Sequence, residues 1–115
     1  MDRKRINQFA KQREDKMEQR LIDIGFELVE DTGRRTVRKG DRIMLHKDTG
    51  LVLVADSKST QNKQSFTLTK SMMEKIRLEA ATVGRNALGA IVFSYKGDTE
   101  LYIAINLKDL EGVMY

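Results

Sequence analysis

The apolar run LVLVA at residues 51–55, followed directly by Asp56, Ser57 and Lys58, constrains the fold of this chain more than any other feature. Five strand-forming residues without an alternating polar pattern predict a strand that is covered on both faces. Charged groups at the end of such a strand border a region of low dielectric, where ionised side chains need partners. We therefore expect a layered α/β structure with charged residues gathered at one end of a buried strand.

The length and composition of the chain narrow the class of protein. Its 115 residues are enough for one core, and we expect a single domain over residues 1–115. Lys and Arg outnumber Asp and Glu by 21 to 17, which is compatible with a polyanionic partner such as nucleic acid. The absence of cysteine excludes disulfides and thiolate metal sites. The polar start and the lack of a long apolar run predict a soluble, cytoplasmic protein without a membrane segment.

Hydrophobic periodicity and turn signals predict the order of secondary-structure elements. Apolar residues at three- and four-residue steps predict helices over residues 5–24 and 70–83. Predicted strands cover residues 26–31, 42–46, 51–55, 89–95 and 100–105, and one further helical turn follows. Ser71 and Glu74 have the spacing of a capping box, and Gly84 offers a left-handed stop for the second helix. This order predicts a mixed five-stranded sheet flanked by helices.

The hairpin between the second and third strands predicts that two acids lie side by side. If its turn is centred between Asp48 and Thr49, opposed residues have numbers that sum to 97, and Asp41 faces Asp56. Directly opposed side chains are about 4.5–5.5 Å apart at Cβ, where like charges destabilise a sheet. A three-residue loop would instead place the two acids on a diagonal. Lys58 shares a face with Asp56, because alternate residues of a strand point the same way.

Two interpretations of these charged residues remain open at this point. Carboxylates at this spacing suit Mg²⁺ or Mn²⁺, which bind oxygen ligands and retain waters. Alternatively, Asp41 lies in a turn and Asp56 forms an exposed ion pair with Lys58, which would be weakly stabilising. The uninterrupted apolar run before Asp56 favours the first interpretation. The aromatic residues are few and distributed along the chain, so the sequence predicts no stacking platform for single-stranded nucleic acid.

The order of the motifs resembles that of the PD-(D/E)xK nuclease superfamily. An acid on the first helix is followed by GF, a basic loop leads to GD, apolar residues lead to DSKST, and a second helix precedes GAIVF. The chain is similar in particular to the small Holliday-junction resolvases of archaea and phages, whose third motif typically reads ECKST. The resemblance covers about residues 10–105. The chain departs from the family in its third-motif Asp, in the adjoining Ser57, and in lacking SG before the second motif.

This resemblance implies a restriction-endonuclease-like fold and a set of catalytic residues. The family's helical glutamate falls on Glu14, with Glu18 as the alternative. The second-motif aspartate falls on Asp41, and the acid and lysine of the third motif fall on Asp56 and Lys58. The resemblance thereby assigns the two acids of the predicted hairpin to one catalytic centre.

The activity implied is Mg²⁺-dependent hydrolysis of DNA phosphodiesters, with Mn²⁺ able to replace Mg²⁺. The acids Glu14, Asp41 and Asp56, with a backbone carbonyl at Ser57, are expected to hold one or two ions. Lys58 is expected to orient the attacking water or to offset transition-state charge. The implied substrate is a four-way DNA junction, in recombination, repair or the processing of branched phage DNA. Symmetric cutting of such a junction implies a C2 homodimer.

Basic residues suggest where DNA would bind, and other features leave alternatives open. The candidate phosphate contacts are Arg34, Arg35, Arg38 and Lys39 in a basic loop, and Lys63 in the polar loop after the third strand. The apolar face of the second helix, or the strand at residues 89–95, could supply the dimer interface. The alternative functions are a nuclease for other DNA substrates and a basic nucleic-acid-binding module without catalysis.

Overall fold

A computed structural model describes residues 3–29 and 41–114 of the chain. Its elements, in chain order, are α1 (Arg3–Asp23), β1 (Phe26–Leu28), β2 (Arg42–His46), β3 (Val52–Ser59), α2 (Lys70–Val83), β4 (Ala87–Ser94), β5 (Tyr102–Ile105) and α3 (Leu107–Met114). The predicted mixed five-stranded sheet with helices is confirmed for this part of the chain. The last helix is longer than the single turn expected, and β3 continues through the charged residues that follow its apolar run.

The strands of the described residues form one sheet in which spatial order follows chain order, β1-β2-β3-β4-β5. β3 and β4 run parallel, and the other neighbouring pairs are antiparallel. A parallel pair needs a crossover between its strands, and α2 supplies this crossover. The central position of β3 and β4 agrees with their long runs of buried apolar residues.

Two apolar clusters cover the two faces of the sheet. The cluster on the α1 face consists of Met17, Leu21, Phe26, Met44, Leu53, Ala55, Leu88 and Val92. The cluster on the α2 face consists of Ile43, Val54, Ile76, Ala80 and Ile91. Odd-numbered residues of β3 therefore face α1 and even-numbered residues face α2, because side chains alternate along a strand. This confirms the strand covered on both faces that the apolar run predicts.

Helix α2 lies directly against β4. A Cβ atom at Gly89 would be 2.6 Å from the carbonyl oxygen of Ile76, so a glycine permits this close approach. The apolar face of α2 and residues 88–92 of β4 are consequently buried within the core. Most of the two surfaces suggested for a dimer interface is therefore buried within the chain, whereas residues 93–95 remain partly exposed.

The ends of α2 differ from those expected. Thr69 is the N-cap residue, because its hydroxyl accepts a hydrogen bond from the Met72 N–H at 3.1 Å, and Ser71 lies inside the first turn. Gly84 ends the helix with a φ of 173°, which is an extended rather than a left-handed conformation. Its N–H still donates to the Ala80 carbonyl at 3.2 Å. The helix thus ends because the chain extends towards β4, and glycine is not required there.

None of the helices in residues 3–29 and 41–114 is both long and apolar enough to cross a bilayer.

Candidate functional site

The hairpin of β2 and β3 places Asp41 beside Asp56. Arg42 lies opposite Ala55, which is the register centred between residues 48 and 49 that the sequence predicts. The next position outward along both strands therefore pairs Asp41 with Asp56. Asp56 shares the α2 face of the sheet with Val54, and Asp41 lies on the same face by alternation from Arg42. The two acids face the same side of the sheet.

Glu79 brings a third carboxyl group to this face. It lies on the buried side of α2 beside Ala80, and it is 9% exposed. Burial raises the pKa of Asp41 to about 9, helped by a hydrogen bond with Glu79, by repulsion from Asp56 and Glu79, and by a hydrogen bond with Asp56. Asp41 therefore carries a proton at neutral pH. Three carboxyl groups meet here, and a proton at Asp41 offsets part of their mutual repulsion.

Lys58 places a cation at the edge of this carboxyl cluster. Its Nζ atom is 3.2 Å from Oδ2 of Asp56, and its side chain is 43% exposed. Both residues lie on the α2 face because they are two positions apart on β3. The ammonium group can therefore contact a ligand that approaches from solvent while it remains close to Asp56.

Ser57 points to the opposite face, where Arg13 of α1 holds it. The Arg13 Nε–H donates to the Ser57 carbonyl at 3.1 Å, and the Ser57 hydroxyl donates to the Arg13 carbonyl at 3.4 Å. A further Arg13 N–H donates to the Ser59 hydroxyl at 3.1 Å. The carbonyl expected to bind a metal is thus engaged by a guanidinium group. These bonds fix the end of β3, and with it the positions of Asp56 and Lys58.

The helical acids do not join the carboxyl cluster. Arg42 is directed towards α1, where its Nη2 lies 3.5 Å from Glu14 Oε2 and its Nε donates to Glu18 Oε1 at 3.1 Å. Asp41 and Arg42 are consecutive, so their side chains point to opposite faces of the sheet. The structure therefore places Glu14 and Glu18 across the sheet from Asp41, unlike the arrangement that the resemblance implies.

The oxygen donors of the cluster are of the type that a hard divalent cation binds, but their arrangement is not that of a metal site. Carboxylate oxygens are the ligands that Mg²⁺ prefers, and Asp41 would have to release its proton to bind one. Among residues 3–29 and 41–114, no group of three or more His, Cys, Asp or Glu side chains is arranged as a metal site. The carboxyl groups are instead arranged around a shared proton at Asp41.

Sequence analysis missed Glu79, although its position carried a signal. An acid between Ile76 and Ala80 lies on the apolar stripe of an amphipathic helix, and such a buried acid needs a polar partner. Of the predicted DNA contacts, Lys63 is exposed in the loop after β3. The predicted contacts Arg34, Arg35, Arg38 and Lys39 lie outside the described residues.

His46 has a structural position at the turn of the hairpin. The Thr49 N–H donates to Nδ1 at 3.3 Å, which leaves the proton on Nε2, 3.1 Å from the Ile24 carbonyl. The ring also lies against Gly25, where a Cβ atom would be 2.6 Å from Nε2. His46 thus joins the end of α1 to the hairpin and is remote in the register from Asp41 and Asp56.

No protein-family model matches the chain, and no curated protein and no solved structure matches it.

Proposed function

We propose that this protein is a metal-dependent endonuclease of the PD-(D/E)xK type that hydrolyses phosphodiester bonds in DNA. One observation carries the proposal: Asp41 and Asp56 lie side by side on one face of the sheet, and the Lys58 Nζ is 3.2 Å from Asp56. Two acids and a lysine on neighbouring strands are the residues that the motif resemblance assigns to catalysis.

The described residues have distinct parts in this proposal. Asp41 and Asp56 would hold a Mg²⁺ or Mn²⁺ ion, and such an ion supplies Lewis acidity to a phosphate and lowers the pKa of a water. Lys58 is exposed enough to contact the phosphate and to offset negative charge in the transition state. Glu79 forms a hydrogen bond with Asp41 that helps to raise the pKa of Asp41. Arg13 keeps the end of β3 in place.

The proposed substrate is branched DNA, in particular a four-way junction. This finer proposal is supported by the resemblance to the small junction resolvases. It is also supported by the net positive charge of the chain, which has 21 basic and 17 acidic residues. Resolution of a junction requires two symmetric cuts, so the proposal includes a homodimer. The dimer surface must lie outside the buried faces of α2 and β4.

The test compares Asp56→Asn with a matched control, Asp48→Asn. Asp48 is exposed in the hairpin turn, so its substitution removes the same charge at a distance from the cluster. With Mg²⁺ or Mn²⁺ present, wild type and the control should cleave a synthetic four-way junction. The Asp56→Asn variant should bind the junction without cleaving it, because it loses a metal-ligating charge and retains its basic residues.

Two outcomes would contradict parts of the proposal. A wild-type protein that binds DNA but never cleaves it with either metal would be a binding module. Equal cleavage of the junction and of its component duplexes would remove the junction specificity and leave a nuclease for other DNA substrates.

A further inference from the structure

Four aromatic side chains that are separated in the sequence meet on the α2 face of the sheet. The rings of Phe66 and Phe93 stack with centroids 4.4 Å apart and an interplanar angle of 9°. Phe93 also stacks on Tyr102 at 5.7 Å, and Tyr95 contacts Phe93 and Tyr102 edge-on at 6.0 and 5.5 Å. This aromatic cluster contrasts with the scattered distribution from which no stacking platform was predicted.

The register connects the aromatic cluster to the proposed catalytic lysine. Lys58 on β3 lies opposite Phe93 on β4, and Phe93 lies opposite Tyr102 on β5. Cα partners of neighbouring strands share a face, so the three side chains form one row across the sheet. Neighbouring strands are about 4.8 Å apart, so Phe93 is about 5 Å and Tyr102 about 10 Å from Lys58 across the sheet, which is about one to three steps of about 3.4 Å along a nucleic-acid strand. A nucleotide beside a phosphate at Lys58 would therefore reach the aromatic cluster.

Exposure and charge show that the aromatic cluster can meet such a ligand. Tyr102 is 43% exposed, whereas the other rings are partly buried and support it from behind and from the side. The Lys96 N–H donates to the Asn62 carbonyl at 3.1 Å, which joins the β4–β5 turn to the polar loop that carries Lys63. Each of these two connected segments carries an exposed lysine, Lys63 in the polar loop and Lys96 in the β4–β5 turn.

We propose that the aromatic cluster binds an unpaired nucleobase next to the phosphodiester that is cut, with Tyr102 as the exposed stacking ring. The inference rests on the proposed nuclease function and adds that the protein recognises an unpaired base in its DNA substrate. Stacking on aromatic rings is tolerant of base identity, so the cluster selects unpaired strands rather than a sequence. Paired bases inside a duplex cannot present their faces to Tyr102. DNA with an unpaired segment, such as a flap or a junction opened at its branch point, is therefore favoured over continuous duplex.

The test uses Tyr102→Leu, which removes the ring, and Tyr102→Phe, which keeps the ring and removes the hydroxyl. The probe is a flapped DNA with 2-aminopurine in the unpaired segment, titrated in EDTA so that no strand is cut. Wild type and Tyr102→Phe should quench the fluorophore. Tyr102→Leu should lower the affinity for flapped DNA by about 5- to 100-fold, because removal of one stacking ring usually has an effect of this size. Its affinity for blunt duplex should stay unchanged.

A second measurement uses the unmodified protein. Flapped DNA with 5-iodouracil in the unpaired segment, irradiated in the complex, should crosslink to Tyr102 or to another ring of the aromatic cluster. Crosslinks confined to other residues, or flap binding by Tyr102→Leu at wild-type affinity, would overturn the inference. The Tyr102→Leu variant could instead convert a dimer to a monomer while each bound chain still quenches the fluorophore as wild type does. That result would identify the aromatic cluster as a subunit interface and would also overturn the inference. Failure of the nuclease proposal is recognised separately, as absent Mg²⁺-dependent cleavage by wild type.

Discussion

Replacement of Asp41 by Asn should change how the stability of the protein depends on pH. The pKa of Asp41 is raised from an ordinary value of 3.8 to about 9 in the folded protein, mainly by burial. The folded state therefore binds one more proton than the unfolded state between these two pH values. The stabilising contribution of this proton is complete below pH 3.8 and is lost as the pH rises through about 9. Asparagine keeps the shape of the protonated acid but cannot titrate.

The size of the change in stability depends on how many protons the folded state binds in excess of the unfolded state and on how exposed Asp41 is. One proton bound only by the folded state changes the free energy of unfolding by about 1.4 kcal/mol per pH unit. Because Asp41 is only half-buried, solvent screening lessens the shift of its pKa, so the folded state holds less than one full extra proton over part of the range from pH 6 to 8 and the mean slope there is about 0.5–1 kcal/mol per unit. Between pH 6 and 8, the free energy of unfolding should fall by about 1–2 kcal/mol more for wild type than for Asp41→Asn. This difference corresponds to about 4–10 °C in Tm.

The assay is urea denaturation at pH 6, 7 and 8 in EDTA, with Asp48→Asn as the control. Asp48 is exposed in the hairpin turn, so its variant should keep the wild-type slope. Titrating groups distant from Asp41 affect all three proteins alike, so the difference between the slopes reports on Asp41 together with its neighbours Asp56 and Glu79. Parallel slopes for wild type and Asp41→Asn would show that Asp41 is not held protonated by Asp56 and Glu79, and would refute the reasoning about the carboxyl cluster.

Three further predictions concern the positions of side chains and backbone. Asp56→Asn should reduce the rise in Tm on addition of Mn²⁺ at pH 8, whereas Glu14→Gln should leave it unchanged, because Asp56 is a proposed metal ligand and Glu14 lies across the sheet; equal effects would contradict this placement. Gly89→Ala should destabilise by about 1–3 kcal/mol in urea, since its Cβ would meet backbone of α2. The control is Gly112→Ala, whose Cβ atom would meet nothing within 4 Å and which should stabilise α3 by about 0.5–1 kcal/mol. If both glycine substitutions changed the free energy of unfolding in the same direction, the close packing at Gly89 would be contradicted. Thr69→Ala should cost about 1 kcal/mol of stability through loss of the N-cap, and an unchanged urea midpoint would disprove that role.

The structure brings together some of the residues that the motif resemblance assigns to catalysis and separates others. Asp41, Asp56 and Lys58 share one face, as their motif positions imply, while Glu14 is paired with Arg42 on the other face. The alternation of a strand explains the difference, because a residue next to Asp41 must point away from it. The acid beside Asp41 is Glu79 of α2 rather than an acid of α1.

Interactions between residues close in the sequence determine the hairpin of β2 and β3, and the sequence therefore predicted it. The sequence limited the pairing to two close registers, of which the structure has the one centred between residues 48 and 49, and the period of two along each strand then places Asp41 beside Asp56 on one face. The apolar run of β3 likewise required a cover on both faces, and the two clusters of the core supply it.

Contacts between distant segments decided the remainder. The parallel pairing of β3 with β4, the approach of α2 at Gly89 and the resulting place of Glu79 depend on packing between elements. The aromatic cluster likewise joins a loop and two strands that no local pattern connects. A period of hydrophobic residues indicates which face of an element is buried, but not which element covers it. That choice is made by the shape and volume of the whole core.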